Sequence, residues 1–304
     1  MLGRRSQPWP WNAVPEPCPA DWGCGMTVCI ASFCHREKCI VAVEDSMLSM
    51  SEMSADSAAI KHKAIGNSWV AMLAGGDVSP SVPILRDVRK ALGKPSSESL
   101  DEIVSAFQSA YKKQIVQAAE TSILSRFDIN MAEFRSNGLA SFGPELFTRL
   151  IYEIEQVTLD LTFLVCGFDQ KEPHIFTIHG KGDATYFDLA GFWAIGSGQT
   201  SALATLFAAQ SSVIFKNLPD VLWMVSKAKF NAETALGVGK RTTGLVLKEN
   251  LERYVIQSEK MKEVKDLWEK QRQPDCPTEN DVPLSKILKQ AEDEFKNRSG
   301  SSGG

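Results

Sequence analysis

The sequence lacks the features that mark several large protein classes. No stretch approaches the roughly 18 consecutive apolar residues that a membrane-spanning helix requires, so no membrane partner is expected. Neither sign of charge is in excess: 33 basic and 37 acidic side chains leave a net charge of −4, which argues against nucleic acid as a partner. Histidine is scarce. The four histidines (His35, His62, His174 and His179) have no metal-ligand spacing, and no nucleophile elbow accompanies them for a Ser-His-Asp triad. The first segment is not expected to be a secretory leader, because Arg4 and Arg5 are not followed by an apolar core. Residues 1–25 instead hold three of the seven tryptophans (Trp9, Trp11, Trp22) and five of the fourteen prolines, without helical or strand periodicity. Residues 1–26 therefore read as an appendage.

What is present describes an ordinary globular chain. Its 304 residues are 43% hydrophobic and 23% charged, enough to build a core without disulfides or a metal. The seven cysteines include Cys24, Cys29, Cys34 and Cys39 at intervals of five. Zinc ligands more usually pair as CxxC, and an odd period sends successive strand side chains to opposite faces. Buried, reduced thiols and no metal are expected, in a reducing cytoplasm.

Regular structure begins at Met26. Thr27–Ser32 and Cys39–Val43 are β-prone and separated by a turn at 35–38, which makes a hairpin whose second strand runs into Glu44-Asp45. Residues 47–57 suggest a loop or irregular strand. A second hairpin, 59–65 and 69–74, ends in Gly75-Gly76. Helices follow: one carrying Val82, Leu85, Val88 and Leu92, and a longer one capped by Ser99 with Glu102 three residues on. The stretch 126–143 is ambiguous, and 144–155 is helical. Strands return at 159–167, 174–179, 184–187 and 193–195, then helices at 200–209 and from Pro219 to about Leu236, then a strand at 242–247. From about Leu251 a Glu/Lys-rich helix, a linker at 273–283 and a last amphipathic helix make a C-terminal helical extension. Blocks of strands and helices in this order imply a layered α+β or αββα fold rather than a doubly wound sheet.

Met26-Thr27-Val28-Cys29-Ile30-Ala31, Asp45 after an apolar strand, Lys61, Ala74-Gly75-Gly76 and Ala194-Ile195-Gly196-Ser197-Gly198 form an ordered series. Together they resemble the proteasome β-subunits and their bacterial proteasome-like relatives, the N-terminal nucleophile (Ntn) hydrolases. The resemblance covers about residues 26–247. It implies a four-layer αββα sandwich over 27–250, with 251–304 as a helical tail, and amide hydrolysis by an N-terminal threonine without a cofactor. Thr27 is then the nucleophile, with its own α-amine as base. Lys61 is the lysine beside it, with Lys63 as the alternative alignment. Asp45 orients that lysine, with Glu44 the alternative if the register slips by one. Gly75 matches the glycine whose backbone N–H stabilises the oxyanion, though Gly-Gly also suits a strand-end turn. Ser197 matches the serine near the threonine amine and equally suits a helix start. Lys63, Leu73 and Asp77 fall where the family lines its specificity pocket.

Two departures accompany the resemblance. The family often places an Asp three residues before a Ser in a late loop, where this chain has Gly239-Lys240-Arg241-Thr242-Thr243-Gly244. Thr27 is also internal, so its nitrogen is a peptide amide. Translation from Met26 with removal of that methionine would free it, and so would cleavage of a propeptide. Met26 between Gly25 and Thr27 favours the first route. The expected activity is a threonine-type peptidase acting on peptide or protein, with self-association into a homo-oligomer such as a ring. The alternatives are an inactive scaffold subunit of such a ring and an amidase of small molecules.

Overall fold

Apolar and small residues fill the first hairpin, which becomes the centre of the fold. β1 (Cys29–Cys34) turns through 35–38 into β2 (Cys39–Asp45), with Lys38 in the left-handed region at φ 48°. Every residue of both strands is buried, which is why the sequence here is a nearly continuous apolar run and not an alternation. The structure is a computed structural model that describes residues 27–50, 53–56, 61–93, 99–209, 214, 216–235 and 237–271. The extension at 1–26 and the last amphipathic helix lie outside those residues. Residues 1–265 form one unit and 266–304 a second.

Within the first unit, β3 (Met47–Met50) and β4 (Met53–Asp56) pair as a two-stranded ribbon where a loop or irregular strand was expected. β5 (Lys63–Ala64) is short, so Lys61 and His62 precede it in irregular chain, and β6 (Trp69–Gly75) pairs with it. Next come α1 (Ser81–Leu92) and α2 (Leu100–Ser122). Ser99 and Glu102 form both halves of the capping box that their spacing predicts. The ambiguous stretch is helical from Met131, because Asn130 and Glu133 make a second capping box at the start of α3 (Met131–Gln156). Gly143, at φ 71°, kinks α3 before Pro144.

β7 (Leu161–Asp169), β8 (Glu172–His179), β9 (Asp183–Tyr186) and β10 (Phe192–Ile195) follow, then α4 (Gln199–Ala208), α5 (Leu218–Ala232) and β11 (Thr242–Lys248). The expected helix from Leu251 is corrected at its start: Arg253–Ile256 is a strand, β12, and α6 runs Ser258–Gln271. β12 is an edge strand whose Arg253 and Tyr254 are exposed, so its residues carry little apolar signal.

These strands make two five-stranded antiparallel sheets, ordered β10-β1-β2-β11-β12 and β5-β6-β7-β8-β9. The fold is α+β. Alternate residues of β6 divide between two cores: Val70, Met72 and Ala74 pack with β1, β2, α4 and α5, and Trp69, Ala71 and Leu73 pack with α1 and α2. Among the described residues, no helix is long and apolar enough to cross a membrane.

Candidate active site

The antiparallel register of β1 and β2 pairs Cys29 with Glu44, which sets Asp45 beside the chain just ahead of β1. Asp45 N–H donates to the Val28 carbonyl at 3.1 Å, and Val28 N–H donates back to Asp45 Oδ1 at 3.0 Å. Thr27 is held here with its hydroxyl donating to Asp45 Oδ1. Lys61 Nζ donates both to Thr27 Oγ1 and, at 2.7 Å, to Asp45 Oδ1. All three side chains are buried, so their mutual interactions are little screened by solvent. The other carboxylate oxygen, Oδ2, accepts from Met47 N–H at 3.2 Å and Gly239 N–H at 2.9 Å.

The loop before α4 closes the other side. Thr27 N–H donates to Ser197 Oγ at 3.2 Å, while Ser197 Oγ and Gly198 N–H donate to the Thr27 carbonyl at 3.3 and 3.2 Å. Gly196 makes this contact possible. It takes φ 95°, and a Cβ there would stand 2.3 Å from the Thr27 carbonyl oxygen.

Thr27, Asp45, Lys61 and Ser197, all expected from the sequence, are therefore brought together. The alternatives Lys61/Lys63 and Asp45/Glu44 occupy different positions. Lys63 is exposed on β5, whereas Lys61 is buried against Thr27. Glu44 lies one residue out of phase and holds Lys61 from behind: its Oε1 accepts Lys61 N–H at 3.1 Å and lies 2.8 Å from His62 Nδ1. Gly75 ends β6 opposite Leu161, and a Cβ there would fall 2.2 Å from the Asp160 carbonyl oxygen. Close approach of two strands thus requires glycine at this position. Among the described residues, no hydrogen bond joins Gly75 to Thr27. Leu73 is buried in the core with α1 and α2, and Asp77 accepts Ser79 N–H at 2.9 Å in the loop before α1.

The late loop without the family's Asp carries a different support that the sequence did not disclose. Lys229 of α5 is fully buried and donates to Glu233 Oε1 at 2.6 Å and to the Gly239 carbonyl at 2.7 Å. Lys265 of α6 binds the other Glu233 oxygen at 2.5 Å. Gly239 thus joins a buried lysine on its carbonyl side to Asp45 on its amide side. A Cβ at Gly239 would sit 2.9 Å from Asp45 Oδ2, so glycine is needed here too. Burial pushes the Lys229 ammonium below its ordinary range, against the opposing pull of Glu233. A lysine four residues before a glutamate was the only signal, and that pattern ordinarily marks a solvated helix face.

Two of the histidines have local partners. His174 Nδ1 lies 2.8 Å from Asp188, and His179 Nε2 3.2 Å from Thr185. Cys29, Cys34, Cys39 and Cys166 are free and buried, while Cys24 lies outside the described residues. Among the described residues, no group of three or more His, Cys, Asp or Glu side chains is placed to hold a metal ion. Compared with protein-family models and with curated proteins, the chain matches none.

Proposed function

We propose that the chain is a threonine-type amide hydrolase of peptides, in which Thr27 becomes competent once residues 1–26 have left it. One convergence carries the proposal: a threonine hydroxyl, a lysine ammonium and a carboxylate meet at one buried point, with Ser197 on the threonine nitrogen. A threonine hydroxyl is a poor nucleophile at neutral pH and needs a base in contact. A freed α-amine, with a reference pKa of about 7.7–8.0, supplies one. The amine accepts the hydroxyl proton as Oγ1 attacks the substrate carbonyl carbon. The substrate amine then leaves carrying that proton, and water activated by the same α-amine hydrolyses the ester. The Lys61 charge favours the neutral amine and the developing alkoxide, and Asp45 fixes Lys61. The Gly75 backbone N–H is assigned to the oxyanion.

The four-layer αββα sandwich belongs to the same proposal. It is supported by α1/α2 and α4/α5 packing in separate cores that share β6. So do residence in the reducing cytoplasm and assembly of copies into a ring, for which exposed Val82, Leu139 and Tyr152 offer apolar surface. A profile of monomer alone in size-exclusion chromatography would remove the ring.

A second possibility also has an observation behind it. While Met26 is attached, Thr27 N is a peptide amide that donates to Ser197, and such a chain is a scaffold without catalysis. Intact-mass analysis of the native protein and assays with small fluorogenic peptides and amides distinguish the two. Thr27 at the N-terminus, with hydrolysis lost in Thr27→Ala, is the expected result. Met26 retained in all molecules, or equal rates for wild type and Thr27→Ala, overturns the catalytic proposal.

A further inference from the structure

Cys34 and Cys39 face each other across the turn of the first hairpin. They are directly paired in the β1–β2 register, so both side chains leave the same face of the sheet. Directly opposed residues in an antiparallel pair have Cα atoms about 4.5–5.5 Å apart. A disulfide spans Cα separations of about 4.4–6.8 Å. Cys34 Sγ lies 3.0 Å from Glu37 Oε2 in the turn, a carboxylate placed to take its proton. On the other side Cys39 is paired with Lys248 of β11, so Cys34, Cys39 and Lys248 form a row across three strands. Both cysteines line a cavity of about 390 Å³ shared with His35, Lys38, Phe168 and Lys171, which gives a small molecule a route to them.

We propose that Cys34 and Cys39 are a dithiol–disulfide exchange site for small-molecule disulfides, with Cys39 as the attacking sulfur and Cys34 as the resolving one. The assignment follows from the surroundings of each thiol. The neighbouring Cys34 thiol and the positive charge of Lys248, paired with Cys39 across the strands, lower the Cys39 pKa against the effect of burial. The neighbouring Cys39 thiol, then burial and the Glu37 carboxylate, raise that of Cys34. Cys39 thiolate attacks one sulfur of the small disulfide, forming a mixed disulfide and releasing one thiolate, which takes up the proton that Cys39 shed. Cys34 then gives its proton to Glu37 and attacks Cys39 Sγ. The Cys34–Cys39 bond forms, and the second small thiol leaves with the proton from Glu37. The protein is oxidised by two electrons and two protons, and the small disulfide is reduced to two thiols. Cys29 and Cys166 do not line this cavity, so they stay out of this exchange. The site is independent of Thr27 chemistry.

The test uses the full chain with oxidised glutathione as the probe, followed by alkylation in acid and tryptic digestion. Trypsin cuts at Arg36 and Lys38, so reduced protein yields separate Cys34 and Cys39 peptides and the disulfide ties them together. The expected product is the linked peptide, two hydrogens lighter than its parts and reversed by dithiothreitol. Cys34→Ser is expected to stop at a stable glutathione adduct on Cys39, and Cys39→Ser to lose both products. Phenylarsine oxide, which bridges paired thiols, is expected to bind wild type and neither variant, so wild type alone gives two readouts. No linked peptide at any glutathione ratio in folded wild type overturns the proposal. An adduct on Cys34 in Cys39→Ser, formed as fast as in wild type, overturns the assignment of the attacking sulfur.

Discussion

Asp45 accepts from Thr27, Val28 and Lys61 on one oxygen and from Met47 and Gly239 on the other, so its carboxylate has little freedom to move. If Thr27 is the nucleophile, Lys61→Met removes the lysine ammonium beside the reacting oxygen. Peptide hydrolysis is then expected to fall by roughly 10²–10³-fold, the loss typical of a deleted electrostatic stabiliser. Lys63→Met, on the exposed strand, should stay within about twofold, because exposed charges couple weakly. Rates for both variants at equal thermal stability check this, and an active Lys61→Met would exclude the assigned role. Thr27, Asp45, Lys61 and Ser197 were reached through the ordered series that resembles the Ntn hydrolases, because a threonine, a lysine or a serine taken singly carries no such signal. Lys229, and the hold that Glu44 has on the Lys61 backbone, were not foreseen, because contacts formed only in the folded chain recruit them.

At the scale of elements, α5 and α6 hold an ion-pair chain whose inner member is fully buried. Glu233→Gln leaves Lys229 charged without its counterion. Removing one partner of a buried pair typically destabilises by about 3–5 kcal/mol. Lys265→Met removes a less deeply buried partner and is expected to cost about 1 kcal/mol. Urea titrations of the two variants measure the contrast, and equal losses would show that Lys229 does not depend on Glu233. Ser99→Ala opens the capping box of α2, far in sequence from Thr27, and should cost about 1 kcal/mol with hydrolysis unchanged. The capping boxes show where sequence sufficed: three-residue spacing reveals the one at Ser99. The one at Asn130 was equally local, but the kink at Gly143 split the helix and blurred its periodicity. β12 was illegible because at a sheet edge Arg253 and Tyr254 are exposed and only Val255 and Ile256 are partly covered.

For the whole molecule, buried thiols tie stability to alkaline pH. Burial raises the Cys166 pKa from 9.0 to about 12. Between those values the unfolded chain has lost the proton that the folded chain keeps, so stability falls as pH rises, by up to about 1.4 kcal/mol per pH unit. Wild type is therefore expected to lose urea resistance faster between pH 9 and 11 than Cys166→Ala, and parallel curves would contradict it. The bond from Gly239 N–H to Asp45 sets a further condition, this time on biogenesis. Its two ends are 194 residues apart, and the glycine lies on the return path to β11. A nascent chain still short of that glycine has no fully braced carboxylate beside Thr27, however well its first hairpin has formed. Any self-processing that depends on this carboxylate must then wait until synthesis has passed Gly239 and the late strand has inserted beside β2. If residues 1–26 leave by self-cleavage, chains truncated before that glycine would keep them attached.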